Sequence, residues 1–154
     1  MSMLYNVVLF IIVLALCYVL FSYKKIKGMK EGTQEMAEMA LIIRRGANTF
    51  MKTEYKTIAI VVIAVALIFS LFVEKTSGLT LILGAIMSSS ACIVGMKSAT
   101  YANVRTSNKA RESLSIGQTV KVALLGGSIS GLSVQAFGML GLLIILIGWG
   151  IDHS

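Results

Sequence analysis

Proline is absent from the 154 residues, so nothing in the sequence forces a helix to kink. There is one histidine, His153, next to the end of the chain, where it reads as a tail residue rather than a ligand. The seven carboxylates, Glu31, Glu35, Glu38, Glu54, Glu74, Glu112 and Asp152, are scattered. Glu35 and Glu38 have one-turn spacing, but without a third ligand they are weak evidence for a metal. The two cysteines, Cys17 and Cys92, have no metal-ligand spacing around them. Each lies in an apolar stretch and is expected to behave as a small buried hydrophobe. No Gly-x-x-x-x-Gly-Lys loop, paired aspartates or Ser/His/Asp set occurs. On residue chemistry the chain is not a complete enzyme, and it offers no catalytic, cofactor-binding or metal-binding residue.

What the chain has instead is apolar length. Hydrophobic residues make up 56% and the mean hydropathy is +0.85, above the range of ordinary soluble domains. Four long apolar runs occupy residues 3–23, 57–73, 79–96 and 122–149. A helix rises 1.5 Å per residue, so about 20 residues cross a hydrocarbon core of about 30 Å. The fourth run is longer than a perpendicular helix needs, which predicts either a strong tilt or a start at the interface, at Gly126-Gly127-Ser128. No charged residue lies within any run. Pumps and proton relays place such groups at membrane depth, so these four helices by themselves lack a conduction path.

Thirteen of the fourteen basic residues fall in the two polar segments 24–56 and 97–121. Short Lys/Arg-rich loops stay cytoplasmic during insertion, which predicts that both segments face the cytoplasm and both termini lie outside. The connection Glu74-Lys75-Thr76-Ser77 is short and near neutral, as an external turn should be. Nothing basic precedes the first run, so it reads as a retained span rather than a cleaved signal peptide. The net charge of +7 does not indicate nucleic-acid binding, because its residues flank membrane spans, where they meet anionic headgroups. Lys24–Lys30 reads as a solvated or interfacial stretch. The expected fold is an all-α polytopic transmembrane helical bundle with four spans and a partly helical connection before span two. The expected localisation is the cell membrane.

Within this frame several residues have assignable places. Thr33 is a plausible N-cap, and Met36, Met39, Ala40 and Ile43 recur at helical spacing after it. Small residues recur at four-residue intervals in spans three and four: Gly84/Ser88, Ser88/Cys92, Gly127/Gly131 and Ser130/Val134. In lipid such positions allow close helix approach, so they read as packing surfaces of a larger bundle. Gln135 is the one amide deep in a span and is expected to bond a neighbouring helix. Trp149 stands near the outer end of span four, where an amphipathic ring belongs.

Two stretches carry a resemblance. Arg45-Gly46-Ala47-Asn48-Thr49-Phe50-Met51-Lys52-Thr53-Glu54-Tyr55-Lys56 leads into span two, and Gly95-Met96-Lys97-Ser98-Ala99-Thr100-Tyr101-Ala102-Asn103-Val104-Arg105-Thr106 leaves span three. Both resemble the N-terminal part of membrane-bound, ion-pumping inorganic pyrophosphatases, as does Gly126-Gly127-x-x-x-Gly131. The likeness runs from about Met29 to the C-terminus, and the first span matches in position and topology more than in letters. Leu124-Leu125 stands where family members often carry a basic or small polar residue.

The resemblance implies an enzyme that hydrolyses pyrophosphate on the cytoplasmic side and couples this to export of protons or sodium ions. It implies homodimers of many-helix subunits that use Mg2+, and in one subclass K+, at a site built from Asp-rich motifs. None of those motifs occurs in these residues. The expectation is therefore an N-terminal four-helix portion, inactive alone, that supports the remaining helices of the pump. The alternative is a small stand-alone four-helix membrane protein with a structural or assembly role. A stand-alone transporter is disfavoured by the lack of embedded charge. The family match also predicts that Arg105 holds the cytoplasmic end of span three by hydrogen bonds to carbonyls or a carboxylate. Glu54 is expected to pair locally or to stay solvated.

Overall fold

A computed structural model describes residues 2–148. They form four helices and no strand: α1 (Ser2–Lys27), α2 (Gln34–Phe72), α3 (Lys75–Ser113) and α4 (Ile116–Gly148). Each is long and apolar enough to cross a membrane. Trp149, Asp152 and His153, and with them the end of the fourth apolar run, lie outside the described residues.

Within the described residues the four apolar runs fall in helices except for Val73, which caps α2, but the helices do not stop where the runs do. α2 and α3 each have 39 residues, about 58 Å at 1.5 Å per residue, roughly twice the hydrocarbon thickness. The polar segments 24–56 and 97–121 are thus largely continuations of the spans, and before span two, where a partly helical connection was expected, helix runs from Gln34 onward. The physical reason is in the sequence: between Gln34 and Phe72 there is one glycine and no proline, and loss of hydropathy does not end a helix. The helices end at identifiable places. Thr33 caps α2, its hydroxyl accepting from the Met36 amide at 3.3 Å. Gly32 precedes it at φ +100°, and a Cβ there would lie 2.7 Å from Met36 Sδ and 2.8 Å from Asn108 Oδ1. This is a position that only glycine fills without strain. α3 ends on Leu114 at φ +49°, a left-handed cap on a residue with a side chain.

The helices do not pack in chain order. α3 lies against α2 and α4, α4 also against α1, and α1 touches α3; α1 and α2 do not pack on one another. Two apolar clusters hold the α1–α4 seam. One joins Ile12 to Ala136 and Leu143; the other joins Val19 and Ile26 to Ala102 and Ile129, with Leu125 packed against it. Leu125 of the Leu-Leu pair is therefore a packing residue, while Leu124 is exposed. Most remaining large apolar side chains on α1 and α2 point outward. In lipid that exposure carries no hydrophobic penalty, and helix association rests on close contact and cross-helix hydrogen bonds.

Candidate functional site

The helix ends that carry the basic segments meet around one side chain. Arg105 of α3 is 4% exposed. Its Nε donates to the Met29 carbonyl at 3.0 Å, one terminal nitrogen to the Lys27 carbonyl at 3.0 Å, and the other to the Tyr101 carbonyl at 2.9 Å. The Arg105 nitrogen that bonds the Lys27 carbonyl also lies 3.0 Å from Glu31 Oε1. Arginine is suited to this because its donors form a rigid fork. Two of the carbonyls, those of Lys27 and Met29, belong to the last residue of α1 and to the connection after it, which have no helical partner to follow; the third, of Tyr101, lies within α3 itself. The expectation that Arg105 fixes the end of span three by such bonds is met, and its reach is wider: it ties α3 to the α1–α2 connection.

Several further side chains complete this clamp. Glu31 bridges Arg105 and Arg44 of α2. Arg44 in turn lies over the Tyr101 ring, 4.2 Å from its centroid, with the Arg105 guanidinium at 5.3 Å. The Tyr23 ring meets the Tyr101 ring edge-on at 5.8 Å. One turn on, Asn108 donates to the Lys30 carbonyl at 3.4 Å and to Glu112 at 3.1 Å, and accepts from Arg111 at 3.1 Å. Burial acts to raise the Glu31 carboxyl, but the hydrogen bonds and charges of Arg44 and Arg105 outweigh it, and the net shift is below the ordinary value. Glu54 is exposed and has no ion pair among the described residues.

The two motifs prove to be packing stripes. In α3, Gly95, Ser98, Ala102 and Arg105 are all buried at three- and four-residue spacing. A Cβ on Gly95 would lie 2.7 Å from Ser130 Oγ, and one on Gly126 would lie 2.5 Å from Ala102 Cβ. Between them, the buried Ser98 hydroxyl donates to the Gly126 carbonyl at 3.0 Å. In α2, Met51 is buried and the Tyr55 hydroxyl donates to the Ser89 carbonyl at 3.3 Å. Gly46, by contrast, faces open space.

The small-residue pairs divide. Gly84, Ser88, Cys92, Ser130 and Val134 line an open groove of about 590 Å3 between α3 and α4, and a Cβ added at Gly127 or Gly131 would meet nothing within 4 Å. Both cysteines are exposed on the surface of the four helices. This corrects the expectation that they are buried: an apolar run says that a residue avoids water, not which way it points. Gln135 is likewise exposed, with no hydrogen bond among the described residues. The partners Glu31, Arg44 and Asn108 were not singled out for the clamp from sequence. Their signal was faint: a lone acid in a basic segment, and an arginine that keeps the register of Ala40 and Met51 on α2.

The arrangement is a set of membrane helices fastened at its basic end and left open along its apolar faces. Among the described residues no group of three or more His, Cys, Asp or Glu lies close enough to hold a metal. This is the architecture of a multi-pass membrane protein. Residues 13–152 match the family described as inorganic H+ pyrophosphatase, and the chain belongs to that family. Over 136 residues it is 42% identical to a K+-stimulated pyrophosphate-energised sodium pump of Thermotoga maritima, covering 88% of this chain and 19% of that protein. Over 141 residues it is 33% identical to a K+-insensitive pyrophosphate-energised proton pump of Methanosarcina mazei, covering 89% and 20%. A putative K+-stimulated sodium pump of Bacteroides thetaiotaomicron is 33% identical over 134 residues, covering 83% and 18%. The chain thus spans about a fifth of the length of these relatives.

Proposed function

We propose that these four helices are the N-terminal supporting part of a pump that hydrolyses pyrophosphate and moves sodium ions or protons across the membrane. The observation that carries this reading is the match itself: nearly the whole chain aligns with pumps about five times its length. The geometry agrees with a supporting role. The described residues provide a clamp and packing faces, and the open groove between α3 and α4 and the exposed Gln135 suit contact with further helices. In this reading both basic segments face the cytoplasm, where pyrophosphate is hydrolysed. Magnesium, and potassium where it stimulates, act in the remainder of the pump, and two copies of the whole subunit pair.

The test starts with native membranes probed by an antibody against residues 31–54. A band several times larger than 16.5 kDa, in membranes that release phosphate from pyrophosphate and accumulate Na+ or H+ in doing so, is the expected result. A band at 16.5 kDa alone, in membranes without that activity, would defeat the reading for this polypeptide. Dependence of uptake on Na+ or on a protonophore then assigns the transported ion.

A further inference from the structure

Beside the clamp lies a polar cavity of about 360 Å3 that the supporting role does not use. Tyr23 and Lys27 of α1, Arg44 and Asn48 of α2, and Lys97 and Thr100 of α3 form its polar wall. Its volume falls in the range of small-molecule sites. Three of these side chains are cations and no carboxylate lines the cavity. Glu31, the acid that touches Arg44, is shared with Arg105 and so leaves positive charge in excess. Arg44 Nε is moreover buried without an acceptor, a state that is costly for a guanidinium donor. The Thr100 hydroxyl already donates to the Met96 and Lys97 carbonyls, which leaves Lys27, Lys97, Arg44, Asn48 and the Tyr23 hydroxyl as the donors on offer. The wall has donors to spare and is short of acceptors.

The depth of the cavity is set by the chain. Tyr23 is the last residue of the first apolar run, and Lys97 follows Met96, the last residue of the third. Two apolar runs therefore end at this level, which is where lipid headgroups begin.

We propose that the cavity binds a phosphate-bearing anion and that, at this depth, the anion is the headgroup of an acidic phospholipid. A phosphodiester presents oxygens that only accept, and pairs well with ammonium and guanidinium donors. The inference stands apart from the pump reading, since it concerns this chain in its membrane whatever follows the four helices.

The test uses the full polypeptide that carries this chain, purified with its bound lipid and exchanged into phosphatidylcholine bilayers containing phosphatidylglycerol. Retained lipid is read by native mass spectrometry. The double variant Lys27→Gln/Lys97→Gln is compared with Lys24→Gln/Lys25→Gln, which removes the same charge at exposed positions outside the cavity. All four lysines are exposed, so both variants should melt as the parent does. Phosphatidylglycerol retention is expected to fall about thirty-fold in the cavity variant and to stay near the parent in the other. Phosphatidylcholine alone should not be retained. An equal loss in both variants means diffuse attraction to the surface, and no loss in either means no site; each overturns the proposal. If millimolar inorganic phosphate displaces the lipid, the lipid assignment falls and the cavity belongs to a dissolved phosphate. Asn48→Tyr, which fills the cavity without altering charge, should reproduce the loss; full retention in that variant also overturns the proposal.

Discussion

From Ser98 to Asn108, α3 is fastened by hydrogen bonds that reach three other parts of the chain. From Gly78 to Gly95 it is held mainly by shape, with glycine faces against Ala66, Ser70 and Ser130 and a single cross-helix hydrogen bond, from Tyr55 to the Ser89 carbonyl. The same helix thus changes its means of attachment along its length. Outside lipid, water competes for every polar group, and a bond lasts only if it is buried and geometrically constrained, as those of Arg105 are. Inside lipid, apolar burial earns nothing extra, and helices stay together where small residues let backbones approach. The lesson is that the two halves should fail differently when altered.

The largest effect is expected at the polar half. Arg105→Ala removes three carbonyl bonds and one ion-pair partner, and should cost about 3 kcal/mol. A drop in the melting midpoint in detergent, with new protease cutting between residues 28 and 33, would show it. Arg105→Lys should recover less than half, because an ammonium lacks the fork. A melting curve unchanged by Arg105→Ala would remove the clamp from the account.

Contacts made by shape should break by steric change, including the one between Gly126 and Ala102 that sits among the polar bonds. Gly126→Ala places a Cβ 2.5 Å from that of Ala102 and should cost about 2 kcal/mol. Its neighbour Gly127 meets nothing, and Gly127→Ala should leave the four-helix midpoint unchanged. The pair, differing by one position, is a direct measure of whether close approach holds α3 to α4.

Acid sharpens the contrast further. The Glu31 carboxyl titrates below its ordinary value of 4.5 in the folded chain. Its contribution is therefore fully present above that ordinary value and is lost as pH falls through the folded one. The difference in midpoint between the parent and Glu31→Gln should be constant near neutrality and close on acidification. Its size is about 1 kcal/mol at most, since the pair is partly open to solvent. The Gly126→Ala effect should not respond to pH at all.

The smallest effect should be a gain. Leu114 holds a left-handed conformation with its side chain 90% exposed. Leu114→Gly relieves that strain at some cost in unfolded-chain entropy, and should raise stability by about 0.5 kcal/mol.

The sequence made some of this plain and hid the rest for definable reasons. The spans were legible because lipid excludes charge, and charge is visible in letters. The helix ends were not, because α2 and α3 run on through polar residues that favour helix as well as apolar ones do. Thr33 was legible as a cap because its chemistry is local. Arg105 was legible through a resemblance, but its partners were not: Met29 and Lys27 lie 76 and 78 positions away, and only the fold brings them near. Cys17 and Cys92 were misread because hydropathy has no direction. The lysines around the cavity looked like a uniform basic stretch, and only their placement separates Lys27 and Lys97 from Lys24 and Lys25.

The order of packing, α2 on α3, α3 on α4 and α4 on α1, sets a schedule during synthesis. The chain is made from its N-terminus, so α1 enters the bilayer before its main partner α4 has been translated. Every residue of the clamp, from Tyr23 to Glu112, is in hand before α4 starts at Ile116. Arg105 can therefore moor α1 to α3 while the seam between α1 and α4 is still missing. Insertion and association are separable stages for membrane helices, and the clamp gives this chain a three-helix waypoint that keeps the first span at its berth until the last one arrives.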